Sequence, residues 1–324
     1  MASDVRYTYA VARIRAKEVS LFNKGVIEQL MALKTEEQCL KFLREKGWGD
    51  SDGPLEAESM LEREHEKTWE LMGELLDDMS IFDVLSYPDL FQNLKAAVKE
   101  GVRETNIPGI FVPGTAITGE EMLKSIKEKE FGKLPDSMAQ VAQEAYETLL
   151  HTKDGQLCDV LIDKAALEAI YEAGKKATDG IIRNYAESTV AVADIKIAVR
   201  SAKTNKTMEF MRKAMVPCES LDIKALSKAA MGGMDEVSEY LLGTIYSGGA
   251  EALMESPSAF ECWCDNQIIE TIRPEIRNPF SAGPLVAYVL ARENEIKTVR
   301  IILTGKLNGL KDEAIRERIR EMYV

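Results

Sequence analysis

The chain has 324 residues, 45% hydrophobic and 29% charged, a composition that closes a folded core and excludes disorder along its whole length. Its 54 acidic residues outweigh its 41 basic ones, leaving a formal net charge of −13 that phosphate backbones and anionic headgroups repel. Direct binding to nucleic acid or to bare lipid is therefore not expected, and the length allows two or three modest domains.

Taken in chain order, the pattern is helical almost throughout. Met1 to Arg15 carries charge along its length and has no apolar signal core, which predicts a chain made in the cytoplasm. Thr35-Glu36-Glu37-Gln38 is a capping-box sequence that opens a short charged helix running to Leu43. Leu61, Trp69, Met72, Leu76 and Met79 form an apolar stripe inside the acidic run Glu56 to Asp78, whose carboxylates are expected on a solvated helix face. Gly109 to Pro113 reads as extended but is too short to found a sheet. Thr118-Gly119-Glu120-Glu121 is a second capping box, opening a helix to Ile126. Pro135-Asp136 starts a helix whose stripe is Met138, Val141, Ala142, Ala145, Tyr146 and Leu149. The periodicity carries on from Asp163 to Tyr185 through Ala166, Ile170, Tyr171, Ala177 and Ile181. Short charged helices are expected again at Ser220 to Leu226 and Leu310 to Ile319. The longest purely apolar runs, Leu285 to Ala287 and Val289 to Ala291, are far below the ~20 residues that cross a bilayer. The fold class these elements predict is all-α.

The chemistry-bearing residues are sparse. Cys39, Cys158, Cys218, Cys262 and Cys264 are scattered and odd in number, as free thiols are. Cys262-Trp263-Cys264 would need two further soft ligands to hold zinc, and His65 and His151 do not supply them at a suitable spacing. Gly114 to Gly119 is followed by Glu120 and Glu121 where a phosphate-binding loop needs Lys, so two carboxylates would repel the nucleotide. His65-Glu66 has Trp69 where a zinc protease has its second His, and there is no Gly-x-Ser-x-Gly elbow. No catalytic residue, metal site or cofactor is predicted, and the chain reads as non-enzymatic on its own.

The most informative feature is an internal repeat. Asn93-Leu94-Lys95, Asp194-Ile195-Lys196 and Glu295-Ile296-Lys297 share a polar, Leu/Ile, Lys pattern, and the three lysines fall 101 residues apart. Ala97, Ala198 and Val299 occupy the same place one step on. Arg13-Ile14-Arg15, 80 residues before Lys95, is a possible earlier copy. After most copies come a loop and a short charged helix. Arg13, Arg15, Lys95, Lys196 and Lys297 are thus candidate repeated positions. They either pair with acids on adjacent helices as equivalent joints or face a common axis where a partner meets them.

Two stretches carry a family resemblance. Tyr9-Ala10-Val11-Ala12-Arg13-Ile14-Arg15-Ala16-Lys17-Glu18 resembles the start of the C subunits of V/A-type rotary ATPases and ATP synthases, the counterparts of the d subunit of eukaryotic V-ATPases. The end resembles that family's closing signature through Pro284 to Tyr288, Arg292 to Arg300, Gly305 to Leu310 and Ile315-Arg316-Glu317. The resemblance is firmest at the two ends; over residues 50 to 280 it rests on repeat spacing, helical character and length. It implies an all-helical, funnel-shaped protein of three similar units about a pseudo-threefold axis. Approximate divisions are 1–90 closed by 288–324, 91–190 and 191–287. It further implies one copy per complex, joining the central stalk (the D and F subunits) to the membrane proteolipid ring and transmitting torque for H+ or Na+ transport or ATP synthesis. On this reading the protein is cytoplasmic and peripheral on the membrane through protein contacts, with no direct lipid binding. A free-standing helical scaffold, its units stacked in a line as in a solenoid, is the alternative the repeat also allows.

Overall fold

The computed structural model describes residues 7–103 and 107–324. The first six residues of the charged N-terminal segment lie outside this range, as do residues 104–106. Helix makes up 75% of the molecule, more than twice the ~30–35% of an ordinary globular chain. No strand occurs among the described residues. The chain divides into two compact units.

The first unit holds the described residues up to Ile81, Asp179–Ile181 and Tyr246–Val324. Its N-terminal part is α1 (Thr8–Glu18), α2 (Lys24–Met31), α3 (Glu36–Glu45) and α4 (Ala57–Leu75). The second unit, formed by the described residues of Phe82–Thr178 and Ile182–Ile245, contains α5 (Asp83–Arg103), α6 (Gly119–Lys127), α7 (Asp136–Thr152) and α8 (Gly155–Lys176). It also contains most of α9 (Gly180–Thr204), and α10 (Met208–Ala214), α11 (Ile223–Gly232) and α12 (Met234–Leu242). The chain then returns to the first unit with α13 (Ser247–Glu255), α14 (Pro257–Ile272), α15 (Gly283–Leu307) and α16 (Asp312–Arg316).

Local signals explain most of these boundaries. At α6 the full capping box forms: Thr118 Oγ1 accepts from Glu121 N at 3.2 Å and Glu121 Oε2 accepts from Thr118 N at 3.0 Å. At α3 the reciprocal half slips by one residue, because Gln38 Oε1 accepts from Lys34 N rather than from Thr35. The α7 stripe buries Met138, Ala142, Ala145 and Leu149, with Val141 and Tyr146 half-buried at its margins. The continuous periodicity read from Asp163 to Tyr185 breaks at Ala177, whose backbone turns extended after α8, and α9 starts afresh at Gly180. Apolar spacing continues across Thr178-Asp179 although the helix does not, since turn residues there compete for the backbone.

In the first unit α15 is the organising element. It packs against α1, α3, α4, α14 and α16, and every residue from Ala282 to Arg292 is buried. A helix buried all round has to sit inside a fold or a bilayer, and this one sits inside the unit. Its end depends on two glycines. Ile315 of α16 would come within 2.6 Å of a Cβ at Gly305, and Gly309 adopts φ +63°, the left-handed turn that ends the helix. Lys306 adds a bond from Nζ to Met31 O at 2.8 Å and an ion pair with Asp312. No helix among the described residues is long and apolar enough to cross a membrane.

Candidate functional site

The three repeated tripeptides lie in α5, α9 and α15. Their middle residues, Leu94, Ile195 and Ile296, are all buried, as are Ala97, Ala198 and Val299. Lys95 pairs with Asp163 of α8 at 2.6 Å, and Lys297 pairs with Asp265 of α14 at 2.5 Å. Lys196 is half-buried on α9. Arg13, on α1, donates to Tyr9 Oη at 2.8 Å and lies 3.9 Å from Glu74. Arg15 joins Glu18 at 2.7 Å and donates from Nη2 to the carbonyls of Glu275 and Asn278, so it ties α1 to the 3-10 turn after α14.

The first residue of each tripeptide proves more informative than the lysine. Asn93, Asp194 and Glu295 are polar, yet each is at most 2% exposed. Each accepts a backbone N–H from a connecting strap. Val112 N donates to Asn93 Oδ1 at 2.8 Å, Val216 N to Asp194 Oδ1 at 3.1 Å, and Phe22 N to Glu295 Oε1 at 3.3 Å. The straps are alike. Val112-Pro113 is followed by Thr118, the N-cap of α6, and Val216-Pro217 by Asp222, the N-cap of α11, six residues on in both cases. Phe22 is followed directly by Asn23, the N-cap of α2. A strap lacks the ladder that satisfies backbone groups in a helix, so a buried side chain must do that work. The paired Val-Pro dipeptides are the sequence signal for this arrangement, and the tripeptide spacing alone does not expose it.

Around Glu295 the anchor grows into an ionic cluster. Arg292, buried on α15, donates to Glu64 Oε2 of α4 and lies 3.2 Å from Glu295 Oε2. Its guanidinium stands 5.2 Å over the Trp48 ring. Glu64 also accepts from Gly49 N at 2.9 Å and from Lys67 Nζ at 2.8 Å. Burial pushes the Glu295 carboxyl up to about 7, and Arg292 and the Phe22 N–H only partly pull it back. Glu64 departs from the expectation that the acids of this segment are solvated. The α4 periodicity places it on the buried face, beside Met60, Leu61 and Thr68, where Arg292 compensates its charge.

The second unit holds a cavity of about 960 Å³ between α5, α8, α9 and α10. Phe91, Leu167, Ile170, Ile197 and Phe210 give it apolar walls, and Lys95 and Lys196 from two successive repeats both line it.

Comparison with known proteins gives the family. The profile of the ATP synthase (C/AC39) subunit matches residues 10–318. The chain belongs to that family. It is 24% identical to the C subunit of the A-type ATP synthase of Methanocaldococcus jannaschii, over 96% of this chain and 85% of that protein. It is 22% identical to the C subunit of the V-type sodium ATPase of Enterococcus hirae, over 96% and 97%. A third relative, the C subunit of the A-type ATP synthase of Methanosarcina mazei, is 23% identical over 97% and 92%.

As a C/AC39 family member the chain is a subunit of a rotary ATPase or ATP synthase, and its closing signature corresponds to the buried α15 and its glycine-dependent end. The described residues contain no cluster of three His, Cys, Asp or Glu arranged to hold a metal. None of the five cysteines is in a disulfide. Burial raises the thiols of Cys39 and Cys158 to about 11 and that of Cys218 to about 12, and burial likewise raises Cys262, so these four stay protonated at neutral pH. His65 Nδ1 lies 2.7 Å from Glu293, a contact that joins α4 to α15.

Proposed function

We propose that this chain is the non-catalytic coupling subunit of its complex, one copy joining the central stalk, made of the D and F subunits, to the membrane proteolipid ring. It transmits torque while ATP hydrolysis drives H+ or Na+ transport, or while ion flow drives ATP synthesis. The observation that carries this reading is the match along nearly the whole chain, with relatives named as the C subunit of both A-type synthases and a V-type sodium ATPase. An adapter under torque needs joints that do not yield. Buried anchors that pin a strap to α5, α9 and α15 fit that need, because close-packed interiors deform little.

The same reading arranges the chain as three similar units about a pseudo-threefold axis in a funnel, divided at 1–90 with 288–324, 91–190 and 191–287. The 101-residue spacing and the recurrence of a buried polar residue holding a strap support that division. The cavity of the second unit, with apolar walls and a charged margin that includes Lys95, Asp163 and Lys196, suits the stalk foot, since a joint that buries apolar surface resists slipping. The ring end is the polar one, which keeps an acidic subunit on the membrane through protein contacts alone.

Washing membranes that carry the whole complex with rising salt tests this. Exposed ion pairs are screened within about 8–10 Å, so the ring contact should give way first. The protein should come off still joined to D and F and should not bind protein-free anionic vesicles. Release from the stalk first, or tight binding to bare vesicles, would overturn the assignment of the two ends.

A further inference from the structure

The three anchor positions differ in a way their shared task does not require. Asn93 is a neutral amide with every bonding group used: Oδ1 accepts from Val112 N, and Nδ2 donates to Val112 O at 2.9 Å and to Thr115 Oγ1 at 3.0 Å. Glu295 has Arg292 beside it. Asp194 has neither device. It is fully buried, its Oδ1 accepts from Val216 N, and its Oδ2 has no hydrogen-bond partner among the described residues.

The charged and titratable groups around it do not supply a counter-ion. From α8, Lys164 attracts the carboxylate but directs its Nζ to Glu168 and the Arg212 carbonyl. From α9 itself, Glu187 lies two turns back on the same face and repels it. Glu187 accepts from Ser220 N at 2.7 Å, Ser220 Oγ at 2.6 Å and Glu219 N at 3.2 Å. These bonds outweigh its own burial and hold its carboxyl below the usual range, hence ionised. From the strap, the Cys218 thiol is neutral. One face of α9 thus presents two acids to one strap, the first satisfied as an anion and the second not.

We infer that Asp194 is carried as a neutral carboxylic acid, its proton on Oδ2, and that it forms a proton-operated latch on the Met215–Leu221 strap between α10 and α11. In the neutral form its Oδ1 accepts from Val216 N without a buried charge, as Asn93 Oδ1 accepts from Val112 N. In the ionised form it is an uncompensated buried anion, whose route to water or to Lys164 pulls it away from Val216 N and frees the strap. Burial pushes this carboxyl up to about 8, which places the release just above neutral pH. The sign follows from linkage: the unfolded chain ionises this acid near its ordinary value, so the native state holds the extra proton. Its contribution to stability falls as pH rises from about 4 to 8 and is flat above that.

Amide exchange on the full chain tests the latch, read at the Val216 strap and at the Val112 strap from pH 6 to 9.5 and corrected for intrinsic rates. Protection of the Val216 strap should fall about tenfold per pH unit from pH 6 to about 8 and level off above that, while the Val112 strap holds. Asp194→Asn should remove that fall. Asn93→Asp should bring a comparable fall to the Val112 strap. The infrared difference between wild type and Asp194→Asn at pH 7 should contain a protonated carboxyl stretch. If Asp194→Asn fails to fold, the wild-type profile and Asn93→Asp still decide the matter. A Val216 strap whose protection ignores pH, or one that loses protection equally in Asp194→Asn, would overturn the inference.

Discussion

Asn93 in the second unit and Glu295 in the first perform the same task with opposite chemistry. Both sit at the head of a repeated tripeptide, both are buried, and both hold the backbone of a strap. Asn93 reaches the strap 19 residues away and closes a compact set of neutral bonds. Glu295 reaches back to Phe22, 273 residues away, and its longer side chain brings a charge into the interior. That charge recruits Arg292, Arg292 recruits Glu64, and Glu64 ties down Gly49 and Lys67. A neutral anchor fastens one strap, whereas a charged one has to be compensated and so welds α15 to α4. The comparison teaches that the repeats keep a geometric need, here an acceptor for an orphan N–H, and leave the chemistry to the surroundings.

The largest expected effect breaks the charged anchor. Arg292→Met keeps the volume and leaves two buried carboxylates facing each other, a loss of about 3–5 kcal/mol by chemical denaturation. Adding Glu64→Gln and Glu295→Gln should recover a good part of it, because the penalty lies in uncompensated charge rather than in missing contact. A loss under about 1 kcal/mol for Arg292→Met would mean that the cluster is solvated and that the contrast between the anchors is false. Asn93→Ala comes next. It strands the Val112 N–H and C=O and removes the bond to Thr115, for an expected loss of about 2–3 kcal/mol. Exchange at Val112 should rise while the Phe22 strap is unchanged, which places the effect in the second unit.

What is legible in the sequence follows from range. Stripes and caps are short-range, so the α7 face and the Thr118 box can be read from residues three or four apart. The short charged helices α3 and α6 can be read in the same way, whereas α11 starts at Ile223 and runs on to Gly232, beyond the expected Ser220 to Leu226. The break at Ala177 cannot, because the apolar period continues across it in phase. Glu64 resembles its solvated neighbours because its partner is 228 residues away and carries no local mark. The same holds for the anchors: a side chain that accepts a distant backbone N–H has no signature of its own. Only the recurrence of Val-Pro six residues before an N-cap, at Val112 and Val216, points to it.

The smallest expected effect concerns the lysines that define the repeat by eye. Lys297 is half exposed and its acid partner, Asp265, is also held by Arg320, through Nε at 2.7 Å and Nη2 at 2.6 Å. Burial works against the Asp265 carboxylate, but Lys297 and Arg320 together keep its pKa below the ordinary value. Removing Lys297 thus leaves the carboxylate paired, and solvent screens what is lost. Lys297→Met should change stability by less than about 0.5 kcal/mol. Lys95→Met should cost somewhat more, because Lys95 is only 18% exposed and its removal leaves Asp163 without that bridge between α5 and α8. The two variants, measured side by side by thermal or chemical denaturation, separate the roles within the tripeptide. If Lys297→Met costs as much as Asn93→Ala, the third residue of the repeat, and not the first, is the structural pin.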